Sequence, residues 1–389
     1  MFTFPSRTRN ITFALMAIGI IAIVIGFATD PVRTWASLLH NAFYFNAIAL
    51  CGLFFVGVQY VAQAGWSSGF IRVPQAMSGF LKYGCFILLL IFIFGHSTLY
   101  HWTDKELYNP ASPEYDSIMA GKAGFLNMPF FIIRLIAYGL IWAGFAYMIR
   151  KNSMQEDIEG GLDRYNKNFK LSAIFIVLFG ITSSTSAWDI LMSLDAHWFS
   201  TLFGWYTFAG LFVSGLAMIC LLVLWLKSKG YYENVNSNHL HDLGKFMFAF
   251  SIFWTYLWFS QFMLIWYANL PEEVVYYQAR WENYKILWIS NLFINFVAPI
   301  LVLMSRDAKR QRQILWVGGI IILCGHWLDV FMIVMPGTVG AHGQIGLIEI
   351  GTMLGFLGAF LFVTLTELTK AALVPKNDPM MPESLHHHI

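Results

Sequence analysis

Hydrophobic positions along this chain come in long blocks, with neither the two-residue alternation of a half-buried strand nor the one-sided stripe of a surface helix. Ile11 to Ala28 and Leu357 to Leu365 run almost without a polar break. Blocks of this kind fall at 11–28, 42–64, 80–100, 125–149, 171–193, 201–227, 245–268, 286–304, 314–335 and 346–368. A helix needs about 20 apolar residues to cross the hydrocarbon of a bilayer. The pattern therefore predicts an all-α, polytopic membrane protein with about ten transmembrane helices. A β-barrel would show roughly ten-residue segments of alternating polarity, and the unbroken runs argue against one.

Composition agrees with the pattern. Hydrophobic residues make up 58% of the 389 positions and charged residues 12%, about half the charged share of an ordinary soluble domain. Arg7 and Arg9 ahead of the first apolar run resemble the start of a signal peptide. The run is of spanning length, however, and no small-x-small cleavage site follows, so it is read as helix one. Residues 371–389, with Pro375, Pro379, Pro382 and three consecutive histidines, read as a disordered cytoplasmic tail.

Basic residues set the orientation. Eighteen of the 24 Lys and Arg lie on the side of the N-terminus, and five (Arg33, Lys105, Lys122, Arg280 and Lys285) lie on the other, leaving Arg134 within a span. Both termini are expected in the cytoplasm. The basic groups at Arg150–Lys170 and Arg306–Arg312 act as topology signals rather than a nucleic-acid surface, because the net charge is only +2. Tyr108, Tyr115, Tyr276, Tyr277 and Trp281 in the outward loops read as interfacial anchors or a docking surface.

A charged group inside hydrocarbon costs roughly 2.5–3.5 kcal/mol even on the lenient insertion scale, so each one needs a partner or a purpose. The candidates are His96, Arg134, Asp189, His326, Asp329 and Glu349. Thr182, Thr185, Ser186, Asp189 and Ser193 recur at three- and four-residue steps and share one helix face, which must point into a bundle. Arg134, about ten residues into helix four and so near the bilayer middle, needs a carboxylate, and Asp189 on the next helix is the preferred one. Such a pair either fixes helix register or takes part in proton or quinone chemistry. His326 and Asp329, three apart, are placed to share a proton or to pack inertly. Glu349 in the first turn of helix ten is favoured there by the helix dipole without any function, the alternative being a role in a polar site.

Helices two to five overlay on six to nine with direction preserved. Trp188-Asp189 then meets Trp327-Leu328-Asp329, His96 falls near Gln261, and Arg134 falls near Asn295. The overlay predicts two four-helix bundles, with helices one and ten peripheral. His197 sits at the boundary between helices five and six.

Four cysteines (Cys51, Cys85, Cys220 and Cys324) lie singly in four different spans without a C-x-x-C, which argues against chain-bound iron–sulfur clusters and covalent haem. His96 and His326 are the pair that a b-type haem would require.

The segment SAWDILMSLDAHWFSTLFGWYTFAGL, Ser186 to Leu211, and GHWLDVFMIVMPG from Gly325 resemble the NrfD-like (polysulfide reductase membrane-subunit-like) family, in particular the ActF-type membrane subunits of bacterial alternative complex III. The likeness extends over essentially all ten spans, and the aspartate followed by MSL and then His197-Trp198-Phe199-Ser200-Thr201 is its most specific piece. The resemblance implies a quinol-oxidising respiratory complex in the bacterial inner membrane. Separate subunits would carry multihaem cytochrome c and iron–sulfur clusters, a second NrfD-like chain would sit alongside, and electrons would leave toward a terminal oxidase. This chain would bind no cofactor of its own beyond a quinone or quinol, and would act as scaffold and proton path. Carried over by position, His96, Arg134 and Asp189 form the polar cluster of the first bundle and His326 with Asp329 that of the second; His197, Gln261, Asn295 and Glu349 are secondary candidates. The competing reading from the residues themselves is a secondary transporter or ion-translocating permease, suggested by the repeated bundles, Pro299 and the Gly351, Gly355 and Gly358 series.

Overall fold

A computed structural model of the chain describes residues 1–388. Among them there is no strand, and ten helices are long and apolar enough to cross a membrane. The spans are α1 (Ser6–Thr29), α2 (Pro31–Val61), α3 (Arg72–Leu99), α4 (Met128–Glu159), α5 (Asp163–Ile190), α6 (Phe203–Ser228), α7 (Ser237–Ala268), α8 (Pro271–Leu303), α9 (Arg312–Thr338) and α10 (Leu347–Leu368). The protein is a multi-pass, all-α membrane protein. Because ten is even, both ends of the chain lie on one side, called here the terminal face; the opposite side is the far face.

Helix starts follow local chemistry more than hydropathy. Pro31, Pro129 and Pro271 occupy first-turn positions where no N–H is needed. The Asp30 carboxylate accepts from the Arg33 amide at 3.1 Å, and the Asn127 side chain accepts from Phe130 at 3.0 Å. Consequently α2 begins eleven residues before its apolar block, and α8 begins fifteen residues before its own, through a charged stretch that hydropathy cannot register as helix.

Two four-helix bundles form as the repeat implies. In the first, α2, α3, α4 and α5 pack in a ring; in the second, α6, α7, α8 and α9 do so. The rings share a seam along α2, α5, α6 and α9. Within their central windows α2 and α6 are each 89% buried, against 17% for α1, so the opening helix of each bundle forms the core. Phe54 of α2 stacks on Phe179 of α5 (4.4 Å) and meets Phe208 and Phe212 of α6 edge-on (5.3 and 5.1 Å). Helices α1 and α10 pair with each other at the periphery. A Cβ on Gly19 would sit 2.4 Å from Gly355 Cα, so the two backbones touch where only glycine permits it.

The segment 371–388 is not the loose tail that its composition suggests. A short helix, Met381–Leu385, buries Ser384, whose hydroxyl accepts from the Gly69 amide (3.1 Å) and donates to Trp66 O (3.1 Å). Lys376 N donates to Asp157 Oδ1 at 2.8 Å, and Asn236 and Asn238 donate to His387 O at 3.0 and 3.2 Å. His387 Nε2 meets Asp242 Oδ2 at 2.7 Å. Polar groups that find no water-free core of their own here satisfy loops of both bundles.

Candidate functional site

Each bundle encloses one buried aspartate near its far-face half, and their surroundings differ. Asp189 is the penultimate residue of α5 and has no exposed surface. Arg134 Nε and Nη2 donate to its two oxygens at 2.8 and 2.9 Å, and Tyr138 donates to Oδ2 at 2.7 Å. The third edge of the guanidinium is taken by Phe125 O at 3.0 Å, and the rings of Phe125 and Phe130 lie 4.0 and 4.3 Å from its centre. The predicted pair therefore exists. Its depth differs from expectation: Arg134 is only six residues, about 9 Å, into α4, because the helix starts at Met128 and the preceding residues are loop. The guanidinium is bidentate to this carboxylate, and the pair joins α4 to α5. Thr182 extends it by accepting from Trp142 Nε1 at 3.0 Å.

His96 does not join this cluster. It stands three residues from the end of α3, half exposed, with Nδ1 against Ile93 O at 3.2 Å and its ring beside Phe92. A histidine on a lipid-boundary face finds its own helix carbonyl before it reaches across a bundle. It also belongs to a different bundle from His326, so the two do not make an axial pair.

Asp329 lies nine residues, about 13 Å, below the far end of α9. Its Oδ1 accepts from Tyr206 (2.5 Å) on α6 and Asn291 (2.8 Å) on α8, and its Oδ2 accepts from Trp254 Nε1 (3.0 Å) on α7. The three other helices of this bundle thus each aim one neutral donor at the carboxylate, and among the described residues no Lys or Arg pairs with it. His326 Nδ1 stands 3.9 Å from Oδ2, beyond hydrogen-bond range, and both ring nitrogens are buried without a partner. Gly210 makes room for this ring, since a Cβ there would lie 3.1 Å from Nδ1. Asn295, fully buried, donates to Asn291 Oδ1 at 2.7 Å and so orients the amide that serves Asp329. Pro299, which offers no N–H to the Asn295 carbonyl one turn earlier, accompanies a π-helical turn over Phe293–Val297.

Above Asp329 a cavity of about 20 Å³ is bounded by Tyr206, Gln261, Tyr277, Arg280 and Asn291, enough for one water. Gln261 Nε2 donates to Tyr277 Oη at 3.2 Å, and the Ser200 hydroxyl reaches Gln261 Oε1 at 3.4 Å. Arg280 closes the top. Pro336 cannot donate to Met332 O, and Arg280 Nε takes that carbonyl at 3.0 Å, with further bonds to Tyr276 O (2.7 Å) and Ile333 O (3.3 Å). Its guanidinium lies 3.3 Å over the Tyr276 ring, which in turn stacks on Trp198 at 3.9 Å, and Asp195 Oδ2 is 3.4 Å away. The α5–α6 connection, which carries the MSLDAHWFST motif, is therefore the lid of the second bundle. Tyr276 and Tyr277, expected as interfacial anchors, are instead built into this cover, whereas Tyr115 and Trp281 remain exposed.

His197 in the same loop is exposed and holds Asp116 Oδ2 at 2.5 Å, a contact that keeps the Asp116 carboxyl below its usual range. Glu349 does more than answer a helix dipole. It is fully buried and bidentate to Arg33 (2.6 and 2.5 Å), and it also accepts from the Gly346 amide at 2.8 Å, locking α10 to α2. Sequence reasoning missed Tyr206, Trp254 and Asn291 around Asp329 and Tyr138 at Asp189, because an aromatic or amide in an apolar helix is unremarkable until a carboxylate faces it. It also missed the seam residues His40 and Asn41, joined to Trp327 at 2.8 Å each; Thr34, Ser37, Asn41 and Tyr44 form a polar stripe of the kind recognised in α5. No family model matches the chain, and no curated protein matches it significantly.

Proposed function

We propose that this chain is the integral membrane subunit of a quinol-oxidising respiratory complex of the alternative complex III type, serving as scaffold and as a proton path, with the redox centres on partner subunits. The observation that carries the reading is Asp329: a buried carboxylate held by neutral donors only, with an unbonded imidazole 3.9 Å away and a water-sized cavity beneath a polar lid. Such a group can take and release a proton without breaking an ion pair. The motif resemblance supports the assignment to a complex, since the motif supplies that lid. On this reading the terminal face is cytoplasmic, quinol or quinone is a ligand of the assembly, and the partners are multihaem cytochrome c and iron–sulfur subunits, a second NrfD-like chain and a downstream terminal oxidase.

The test is extraction from native membranes in mild detergent and mass spectrometry of what co-migrates on size exclusion. Cytochrome c and iron–sulfur subunits are expected; a lone or self-associated chain defeats the assignment. The competing transporter reading draws on the interrupted α8 and on Pro336 in α9, both beside Asp329. Ion or solute uptake by the chain alone in liposomes would establish it instead.

A further inference from the structure

At the terminal face, away from both carboxylates, α3, α4 and α10 leave an open pocket of about 320 Å³ bordered by Lys82, Arg150, Lys151, Lys370 and a single acid, Glu367. The volume lies in the range of ligand sites. Arg150 is nine-tenths buried; its Nη2 reaches Glu367 O at 2.5 Å and Glu367 Oε2 at 3.4 Å, while its Nη1 is buried without any acceptor. Glu367 is already shared with Lys370 (2.8 Å) and Lys82 (3.6 Å), so the pocket carries three positive charges in excess. Toward the membrane centre its wall turns apolar at Ala143, Ala146 and Tyr147, on a helix whose span window is only 28% buried. Cationic rim and apolar floor together match a molecule with a negative head and a hydrocarbon tail at the interface.

We propose that this pocket binds the phosphate diester of an anionic phospholipid from the leaflet on the terminal face. Lys82 and Lys151 take the phosphate oxygens, Arg150 holds Glu367 at the back of the pocket, and an acyl chain follows Ala143, Ala146 and Tyr147. The lipid ties α10 to the first bundle at the end opposite the Arg33–Glu349 lock. The inference holds whatever complex the chain joins.

The test uses the purified full chain, delipidated in detergent, titrated with phosphatidylglycerol, phosphatidylcholine or inorganic phosphate, with bound lipid counted by native mass spectrometry and thermal unfolding measured in parallel. Phosphatidylglycerol is expected to bind and raise the Tm, and the other two are not. The paired variant Lys82→Gln/Lys151→Gln, with both side chains at the rim, should weaken binding about 25-fold, taking about 1 kcal/mol, or fivefold, per lysine. Lys229→Gln, on the same face but outside the pocket, should change nothing. Equal retention of phosphatidylcholine, stabilisation by inorganic phosphate alone, or unchanged affinity in the paired variant would overturn the proposal.

Discussion

At Asp189 both carboxylate oxygens are occupied by Arg134 and Tyr138, whereas at Asp329 the same functional group meets only a phenol, an amide and an indole. The first arrangement is an ion pair and the second a carboxylate held by neutral donors, so the two residues should respond differently to mutation. Arg134→Met strands a buried carboxylate and is expected to cost about 3–5 kcal/mol, most of it recovered in Arg134→Met/Asp189→Leu. Thermal unfolding in detergent measures both, and a single variant as stable as the wild type would contradict the lock. Asp329→Asn turns one acceptor oxygen into an NH2 facing existing donors and should lower stability by about 1–3 kcal/mol. On the proposed function, its larger effect is expected on the proton-to-electron ratio of the complex; an intact ratio with normal turnover removes Asp329 from any relay. Asp189→Asn, by contrast, should disturb assembly before it disturbs proton movement.

Among the elements, α1 touches the rest of the molecule chiefly through α10, and the contact depends on Gly19 against Gly355 and on Gly351 against Ala22. Dispersion between closely approaching backbones is what holds helices together in lipid, where burial of apolar surface brings no gain. Gly355→Val should therefore separate the pair while leaving both bundles intact. Cysteines placed at Phe13 and Phe362, whose rings lie 5.2 Å apart, would be joined by a short bis-maleimide reagent in the parent protein and lose the crosslink in the variant; an undiminished yield would refute the contact. The docked segment 371–388 has its own pH dependence. Burial, with Asp157 nearby, raises the Asp378 carboxyl above its ordinary range, and Ser68, Arg72 and the Met380 amide only partly oppose this. A raised folded-state value means that the contribution of Asp378 to docking is present at acid pH and is lost as pH rises through that value. Limited proteolysis of this segment should thus speed up from acid to neutral pH, and Asp378→Asn should remove that part of the change; an identical profile in the variant would discount Asp378.

For the whole molecule, polar groups are distributed unevenly across the membrane. Between Asp329 and the far face stand Tyr206, Asn291, Gln261, Tyr277, Ser200 and Arg280, whereas toward the terminal face the buried residues of α6, α7 and α9 include Leu216, Ile219, Val223, Met247, Leu315 and Ile322. The far-face side of the carboxylate is thus the more polar of the two, while His326, Asn295, Ser214 and Ser251 are the buried polar groups on the terminal side. On the proposed function, protons would exchange between Asp329 and the far face, and a partner subunit would complete the connection to the other side. The isolated chain in liposomes should accordingly show no proton conductance of its own, measured with an entrapped pH dye; conductance would indicate a continuous path.

Ten spans, their alternating directions and the two-bundle repeat were legible in the sequence, because runs of about 20 apolar residues have one inexpensive placement in a bilayer and a repeated pattern imposes a repeated packing. The Arg134–Asp189 pair was legible for the same reason, since a charge in hydrocarbon must seek its opposite and the nearest lay one helix away. What surrounds Asp329, the lid formed by the α5–α6 loop, the exclusion of His96 and the docking of residues 371–388 were decided by tertiary structure alone. Each depends on which side chain of another helix arrives opposite a given atom. Hydropathy records which stretches enter the membrane but not the rotation of one helix against the next.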